Sequence, residues 1–246
     1  MIDSHAHIFK EYYDNIDSLV KYLKEKGIIG VINCSTNYDE SIEVIELSKK
    51  YKNFLYASIG IHPENVNDCD LNKLEELIKN NNIIAIGEIG LDYYWVKDNK
   101  EEQKDLFEKQ IILAEKYNLP IIVHSRDSIQ DCYDIIKKHK VRGVIHCFTG
   151  SYEMANNFIK LGFKIGIGGV VTFKNSKLYK VIEKIDLDNI LLETDSPYLT
   201  PEPNRGKKND PSNTFFGASK IAEIKNISIE EVISKTAHNT RDFFDF

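Results

Sequence analysis

Cysteine, long apolar runs and an excess of positive charge are all scarce in this sequence, and each scarcity excludes something. Four cysteines occur in 246 residues (Cys34, Cys69, Cys132 and Cys147), none of them in a C-x-x-C pair. So sparse a set does not write a disulfide framework, and all four read as small buried apolar side chains. No stretch approaches the ~18 consecutive apolar residues of a membrane-spanning helix. The opening MIDSHAHIFKEYYD lacks both the basic start and the apolar run of a secretory signal, so a cytoplasmic protein is expected. Positive charge is outnumbered, with 32 Lys and Arg against 38 Asp and Glu, a formal net charge of −6. A broad basic face for nucleic acid is therefore not expected, although a local basic loop or bound cations could still meet phosphates.

What is present is a rhythm. Short apolar, β-branched runs recur at 1–7, 27–33, 54–60, 82–88, 120–125, 143–148, 163–169 and 189–194. Their near-continuous apolar character fits parallel strands covered on both faces. Helical stretches lie between them. DNIDSLVKYLKEKG opens on polar capping residues and ends on Gly27. DESIEVIELSKKY pairs Ile42 with Ile45 and Val44 with Leu47 at helical spacing. EEQKDLFEKQIILAEKYNLP puts Leu106, Leu113, Ala114 and Tyr117 on one stripe and stops before Pro120. NNFIKLG, KLYKVIEKI and PSNTFFGASKIAEI continue the pattern. Eight β units alternating with helices, without a linker, predict an α/β fold, a single (β/α)8 TIM barrel over residues 1–246, with a doubly wound open sheet as the alternative. LTPEPNRGKKNDPSN (199–213), after the last strand, reads as an active-site loop.

The ionisable residues fall in a telling place on these strands. His5 and His7 end the first strand, Glu88 the fourth and His124 the fifth; His146 lies near the end of the sixth. Asp195 lies one residue past the eighth run, and His62 just past the third. The C-terminal ends of barrel strands converge on one face, where such barrels hold their active sites. Side chains two apart in a strand point the same way, so His5 and His7 would share a face. Inward imidazoles are costly unless their nitrogens are satisfied, which a metal does directly. Imidazole and carboxylate donors suit Zn, Mn, Fe, Ni or Co, and Mg where carboxylates and phosphates dominate. His5, His7, Glu88, His124, His146 and Asp195 are more donors than one tetrahedral zinc needs, which suggests two divalent ions with Glu88 between them. His139, in the polar run KKHK, reads as solvated, and His238 as a residue without a chemical role.

The stretches IDSHAH, GIHPE, IGEIGLDYYW, PIIVHSRD, HCFTGS, GIGG, LLETDSPYL and NRGKKNDP, in that order, resemble the TatD family of metal-dependent deoxyribonucleases over essentially the whole chain. The resemblance implies one ion (Zn, Mg or Mn) on His5, His7, Glu88 and Asp195, and a second on Glu88, His124 and His146. It makes His62, Arg126 and Arg205 candidates for holding phosphate, with Lys207 beside Arg205. It also implies DNA as partner. A deep barrel mouth would take single strands or ends more easily than intact duplex, without regard to sequence, and nothing in the sequence demands more than a monomer. The sequence departs from the family's pattern at Phe9, where an acidic residue is common, and at Ser128, where alanine is. It departs again at KNDP (208–211), where Lys208 lacks the planar fork of arginine. Glu88 and Asp195 are the candidate catalytic carboxylates, Asp195 as the group that orients water and takes its proton. Tyr93, Tyr94 and Trp95, just past Glu88, are placed either to stack on bases or simply to pack their loop. Two rival readings share these residues: a hydrolase of small phosphodiesters, amides or lactones on the same barrel, and a metal-binding scaffold without turnover.

Overall fold

The computed structural model describes residues 1–67, 69–95 and 97–246. Eight strands form one parallel sheet in chain order: β1 (Ile2–Ala6), β2 (Gly30–Cys34), β3 (Leu55–Ile59), β4 (Ala85–Asp92), β5 (Ile121–Arg126), β6 (Gly143–Ile145), β7 (Lys164–Ile167) and β8 (Ile190–Leu192). Strictly sequential order is the signature of the (β/α)8 barrel, and the doubly wound alternative falls, because such sheets reverse their order at a switch point. Among the described residues no helix is long and apolar enough to cross a membrane.

Two compact units make up the chain. One comprises residues 1–33, 147–160 and 164–246, the other 34–146 and 161–163. In the first, β7 pairs with β8 (Ile165 opposite Ile190) and β1 with β2 (Ile2 opposite Gly30). The seam between β8 and β1 is carried past the strand ends. The Asp195 N–H donates to the His5 carbonyl at 3.0 Å and the His7 N–H to the Ser196 carbonyl at 2.7 Å. In the second unit β3, β4, β5 and β6 pair in turn, with Ser58 opposite Ala85, Ile86 opposite Ile121 and Ile121 opposite Gly143. Every residue of β1, β2, β4, β6 and β8 is buried. That explains the unbroken apolar runs in the sequence, since a strand covered on both faces has no solvent side to alternate towards.

The helices follow their caps. α1 (Ile16–Glu25) starts where the Asn15 side chain accepts from the Ser18 N–H, and α2 (Tyr38–Lys50) where Asn37 accepts from Glu40 N–H. α3 (Leu71–Asn80) starts at Asp70. α4 (Lys100–Tyr117) ends on Asn118 in left-handed backbone, φ 53°, ahead of Pro120. α5 (Ile129–Ile136), α6 (Tyr152–Lys160), α7 (Tyr179–Ile182), α8 (Thr214–Lys225) and α9 (Ile229–Phe244) complete the set. α7 is only four residues long, shorter than KLYKVIEKI suggested, and α3, α5 and α9 lie outside the segments named above.

Several sequence expectations change. β4 runs on to Asp92, so Glu88 sits in mid-strand, while β8 stops at Leu192, three residues before Asp195. Cys34 and Cys132 are buried, but Cys69 and Cys147 are half-buried because both lie in loops. His139 is not solvated. Its ring lies between Glu108 and Glu115, Nε2 at 3.3 Å and Nδ1 at 3.2 Å, since the chain after α5 folds back onto α4. His238 is exposed on α9. Ile42 is 37% exposed, so the buried stripe of α2 runs through Val44, Ile45 and Leu47 instead.

Three buried side-chain amides fix the strand exits. Asn33 accepts from the Ile8 N–H at 2.6 Å and donates to the Ile8 carbonyl at 2.9 Å. Gln110 grips Ile61 in the same way at 2.8 and 3.0 Å, and Gln103 grips Asp92 at 2.9 and 3.0 Å. Each amide stands in for a missing neighbouring strand, giving one backbone donor and one acceptor the partners that burial demands.

Candidate metal centre

In the first unit, β1 and the segment after β8 bring three of the expected donors together. His5 Nε2 and His7 Nε2 are 3.2 Å apart, and lie 3.7 and 3.4 Å from Asp195 Oδ1. His7 stands one residue past β1 rather than within it, yet its ring still meets that of His5, edge to face at 4.9 Å. Asp3, which the sequence reading passed over, holds this corner. Its Oδ1 accepts from the backbone N–H groups of His5 (3.1 Å) and Thr194 (3.0 Å), and its Oδ2 from the Thr194 hydroxyl. Burial pushes the Asp3 carboxyl well above its ordinary range despite these donors. Asp195 takes left-handed backbone, φ 57°, a conformation Asp tolerates better than most residues.

In the second unit three imidazoles converge on one carboxylate oxygen. Glu88 Oε1 is 2.8 Å from His124 Nδ1, 3.0 Å from His146 Nε2 and 3.7 Å from His62 Nε2. Glu88 and His146 are almost fully buried, while the side chains of His124 and Asp195 are 17% and 16% exposed. Gly90 permits the approach of β5 to β4. At its φ of 144° a Cβ would lie 2.0 Å from the His124 carbonyl oxygen. His62 caps the turn that follows it, its Nδ1 accepting from the Glu64 N–H at 3.3 Å, which leaves Nε2 to face Glu88. Expected among the phosphate contacts, it lies beside the donors of Glu88 and His124.

Asp92 is the functional-looking residue that the sequence reading missed. Only 1% exposed, it places Oδ2 3.0 Å from His124 Nε2. Its Oδ1 accepts from the N–H groups of Tyr94 and Trp95, both at 2.8 Å. The signal was present: Glu88, Gly90 and Asp92 alternate, so the two carboxylates share one face of the strand. Burial raises the Asp92 carboxyl, but the bonds from His124, Trp95 and Tyr94 outweigh it and hold the group below its ordinary value. His124 shifts the other way. Burial lowers it, the bonds to Asp92 and Glu88 raise it, and the net shift is upward.

The family model described as TatD related DNase matches residues 2–245. This chain belongs to the TatD family. YabD of Bacillus subtilis, described as an uncharacterized metal-dependent hydrolase, is 40% identical over 252 residues, covering 99% of this chain and 98% of its own. YcfH of Escherichia coli K12, described in the same words, is 33% identical over 253 residues, covering 99% and 95%. The crystal structure of YjjV, a TatD homologue from Escherichia coli K12, superposes with a TM-score of 0.93 at 30% identity, covering 100% of this chain and 98% of that one. This TatD chain is thus a metal-dependent hydrolase by family, on the barrel it shares with YjjV.

The donors of this TatD protein fit the metal that the family implies. Imidazole nitrogens and carboxylate oxygens are the set that Zn, Mn and their neighbours accept. Donors on one tetrahedral ion with ~2.0 Å bonds lie ~3.3 Å apart, and the separations around Glu88 and Asp195 run from 2.8 to 3.7 Å. The donors of His62, Glu88 and His124 all lie within 4.8 Å of one another. The remaining expected substrate residues are cationic groups set against aromatic rings or exposed to solvent. Arg126 is exposed at the end of β5, its guanidinium 4.0 Å over the Tyr94 ring. Arg205 lies 3.8 Å over the Phe173 ring, and Lys207 is exposed in the same loop. Asn209, buried, ties that loop down by donating to the Thr194 and Tyr198 carbonyls at 3.0 and 2.6 Å.

Proposed function

We propose that the chain, acting over 1–246 as one hydrolase domain and as a monomer, cleaves DNA phosphodiester bonds with two divalent ions, working inward from single-stranded or frayed ends. The observation that supports the reading is the single oxygen of the buried Glu88 carboxylate met by His124 and His146 at 2.8 and 3.0 Å. His5, His7, Glu88 and Asp195 would hold one ion, and Glu88, His124 and His146 the other. When bound, such ions lower the pKa of a coordinated water towards ~7 and offset charge on the phosphate.

The protein's own part is positional. Of the acids on and just past these strands, Asp3, Asp92, Glu193 and Glu88 are shut off at 0%, 1%, 1% and 3% exposure, whereas the Asp195 side chain is 16% exposed. Asp195 is therefore the carboxylate that can meet an attacking water, accept its proton and return it to the leaving oxygen, giving a phosphate monoester and an alcohol. Arg126, Arg205 and Lys207 would grip phosphates by charge-assisted hydrogen bonds, with His62 contributing Nε2–H. An acidic chain can then bind DNA at few points, so binding should be weak and indifferent to sequence.

The test is cleavage of an end-labelled single-stranded oligonucleotide by metal-stripped protein, with Mg, Mn and Zn restored in turn and His124→Ala as control. Metal-dependent shortening from one end, lost in His124→Ala, is expected. No cleavage with any ion, while the protein still binds metal, would overturn the nuclease reading in favour of small phosphodiesters.

A further inference from the structure

We propose that Tyr94, Trp95 and Arg126 form a stacking subsite for one unpaired nucleobase beside the metal centre; the inference rests on the nuclease reading above and specifies how that site would choose its substrate.

The three aromatic residues after Glu88 divide into two kinds. Tyr93 packs: it is half-buried, its hydroxyl donates to Asp131 Oδ2 at 2.7 Å, and Lys100 covers its ring at 4.3 Å. Tyr94 and Trp95 are displayed instead, 47% and 63% exposed. Nothing about ring packing requires this, because the turn is held through its backbone by the two N–H bonds to Asp92 Oδ1. The rings stand edge to face at 4.8 Å, and the Arg126 guanidinium lies 4.0 Å from the Tyr94 ring centre and 5.3 Å from that of Trp95. Three planar groups, one of them cationic, thus share a rim, and one buried carboxylate anchors the backbone of two of them.

That carboxylate also fixes the distance to the chemistry. Asp92 Oδ2 bonds His124 while Oδ1 bonds the rim, so ring and rim move as one piece. Arg126 follows His124 by two residues on β5, about 7 Å along the strand, and pairs with Asp92 in register. This offset is comparable to the reach of a nucleotide from its phosphate to its base. Flat aromatic faces with a guanidinium recognise a flat, polarisable, anion-bearing ligand, and a nucleotide is all three. A base inside a duplex has both faces covered by its neighbours and cannot use the rim. The subsite therefore selects single strands and frayed ends by stacking rather than by charge.

Trp95 is the only tryptophan in the chain, so intrinsic fluorescence reports on the subsite alone. The holoprotein is titrated with phosphorothioate-linked oligo-dT and with an abasic phosphorothioate oligomer of equal length. Quenching by the first and not the second is expected; equal quenching by both, or none by either, overturns the proposal. Cleavage then supplies a second reading. Removing the terminal base should lower kcat/KM of the wild type ~10- to 100-fold, the worth of one stacked base. In Trp95→Ala that ratio should fall towards one, and Trp95→Phe should restore part of it. A ratio that persists in Trp95→Ala also overturns the subsite. Absence of cleavage with every metal, alongside base-dependent quenching, would instead leave the subsite standing and remove the nuclease reading.

Discussion

Replacing Asp92 separates two roles that one carboxylate holds together. In Asp92→Ala three donors lose their acceptor: His124 Nε2 and the N–H groups of Tyr94 and Trp95. A buried donor left unsatisfied costs ~1–3 kcal/mol, and because the rim can rehydrate, the total loss of stability should be about 2–4 kcal/mol. Asp92→Asn keeps the shape and should cost less. Its oxygen can serve the two backbone N–H groups, but its NH2 then faces His124 Nε2. That nitrogen must become an acceptor, which moves the ring proton to Nδ1, the nitrogen aimed at Glu88. A protonated Nδ1 cannot ligate. Both variants should therefore bind Mn or Zn ~10- to 100-fold more weakly than the wild type, as losses of a ligand's supporting carboxylate do, although only Ala is badly destabilised. Calorimetric metal titration and urea unfolding of the three proteins measure the two quantities independently. Wild-type metal affinity in a folded Asp92→Asn would refute the reasoning.

Two further outcomes follow from buried groups. Gln110→Leu strands the Ile61 N–H and carbonyl and should lower unfolding free energy by about 2–4 kcal/mol, whereas Gln110→Glu must be protonated to keep the grip. The native state of that variant favours the neutral acid, so its stability should fall as pH rises from 5 to 8; urea midpoints that do not move with pH would count against this. Burial pushes the Cys132 thiol up to about 11, so at pH 8 only about one molecule in a thousand carries the thiolate. A thiol reagent at pH 8 should label Cys69 and Cys147 quickly and reach Cys34 and Cys132 only on unfolding; four fast thiols would contradict the burial described.

The barrel was readable because its strands are covered on both faces, and uniform burial leaves an unmistakable apolar run at each of eight positions. The donors were readable for a related reason: a polar residue at the end of such a run has no solvent face to explain it, which is how His5, His124 and His146 stood out. What escaped had weaker local signatures. IGLD after Glu88 looks like a turn, since Gly90 and Asp92 are poor strand formers, so β4 was cut short and Asp92 went unnoticed. Gln110 grips a residue 49 positions away and Gln103 one 11 away. Nothing in the composition of α4 marks either glutamine from a surface one. His139 was read from its polar neighbours, and its two carboxylates come from a helix more than 20 residues earlier.

The amide grips also bear on how the loops could vary in length. Each seizes the chain within a residue of a candidate working side chain: Ile8 follows His7, Ile61 precedes His62, and Asp92 is held itself. Beyond these points Lys10, Glu11, Asp14, Lys97 and Asp98 are exposed. Insertions there would lengthen the rim without disturbing the donors, whereas a single residue added between His7 and Ile8 would shift one of them. Substrate range in this barrel can thus be altered by loop growth at sites that the chemistry does not feel.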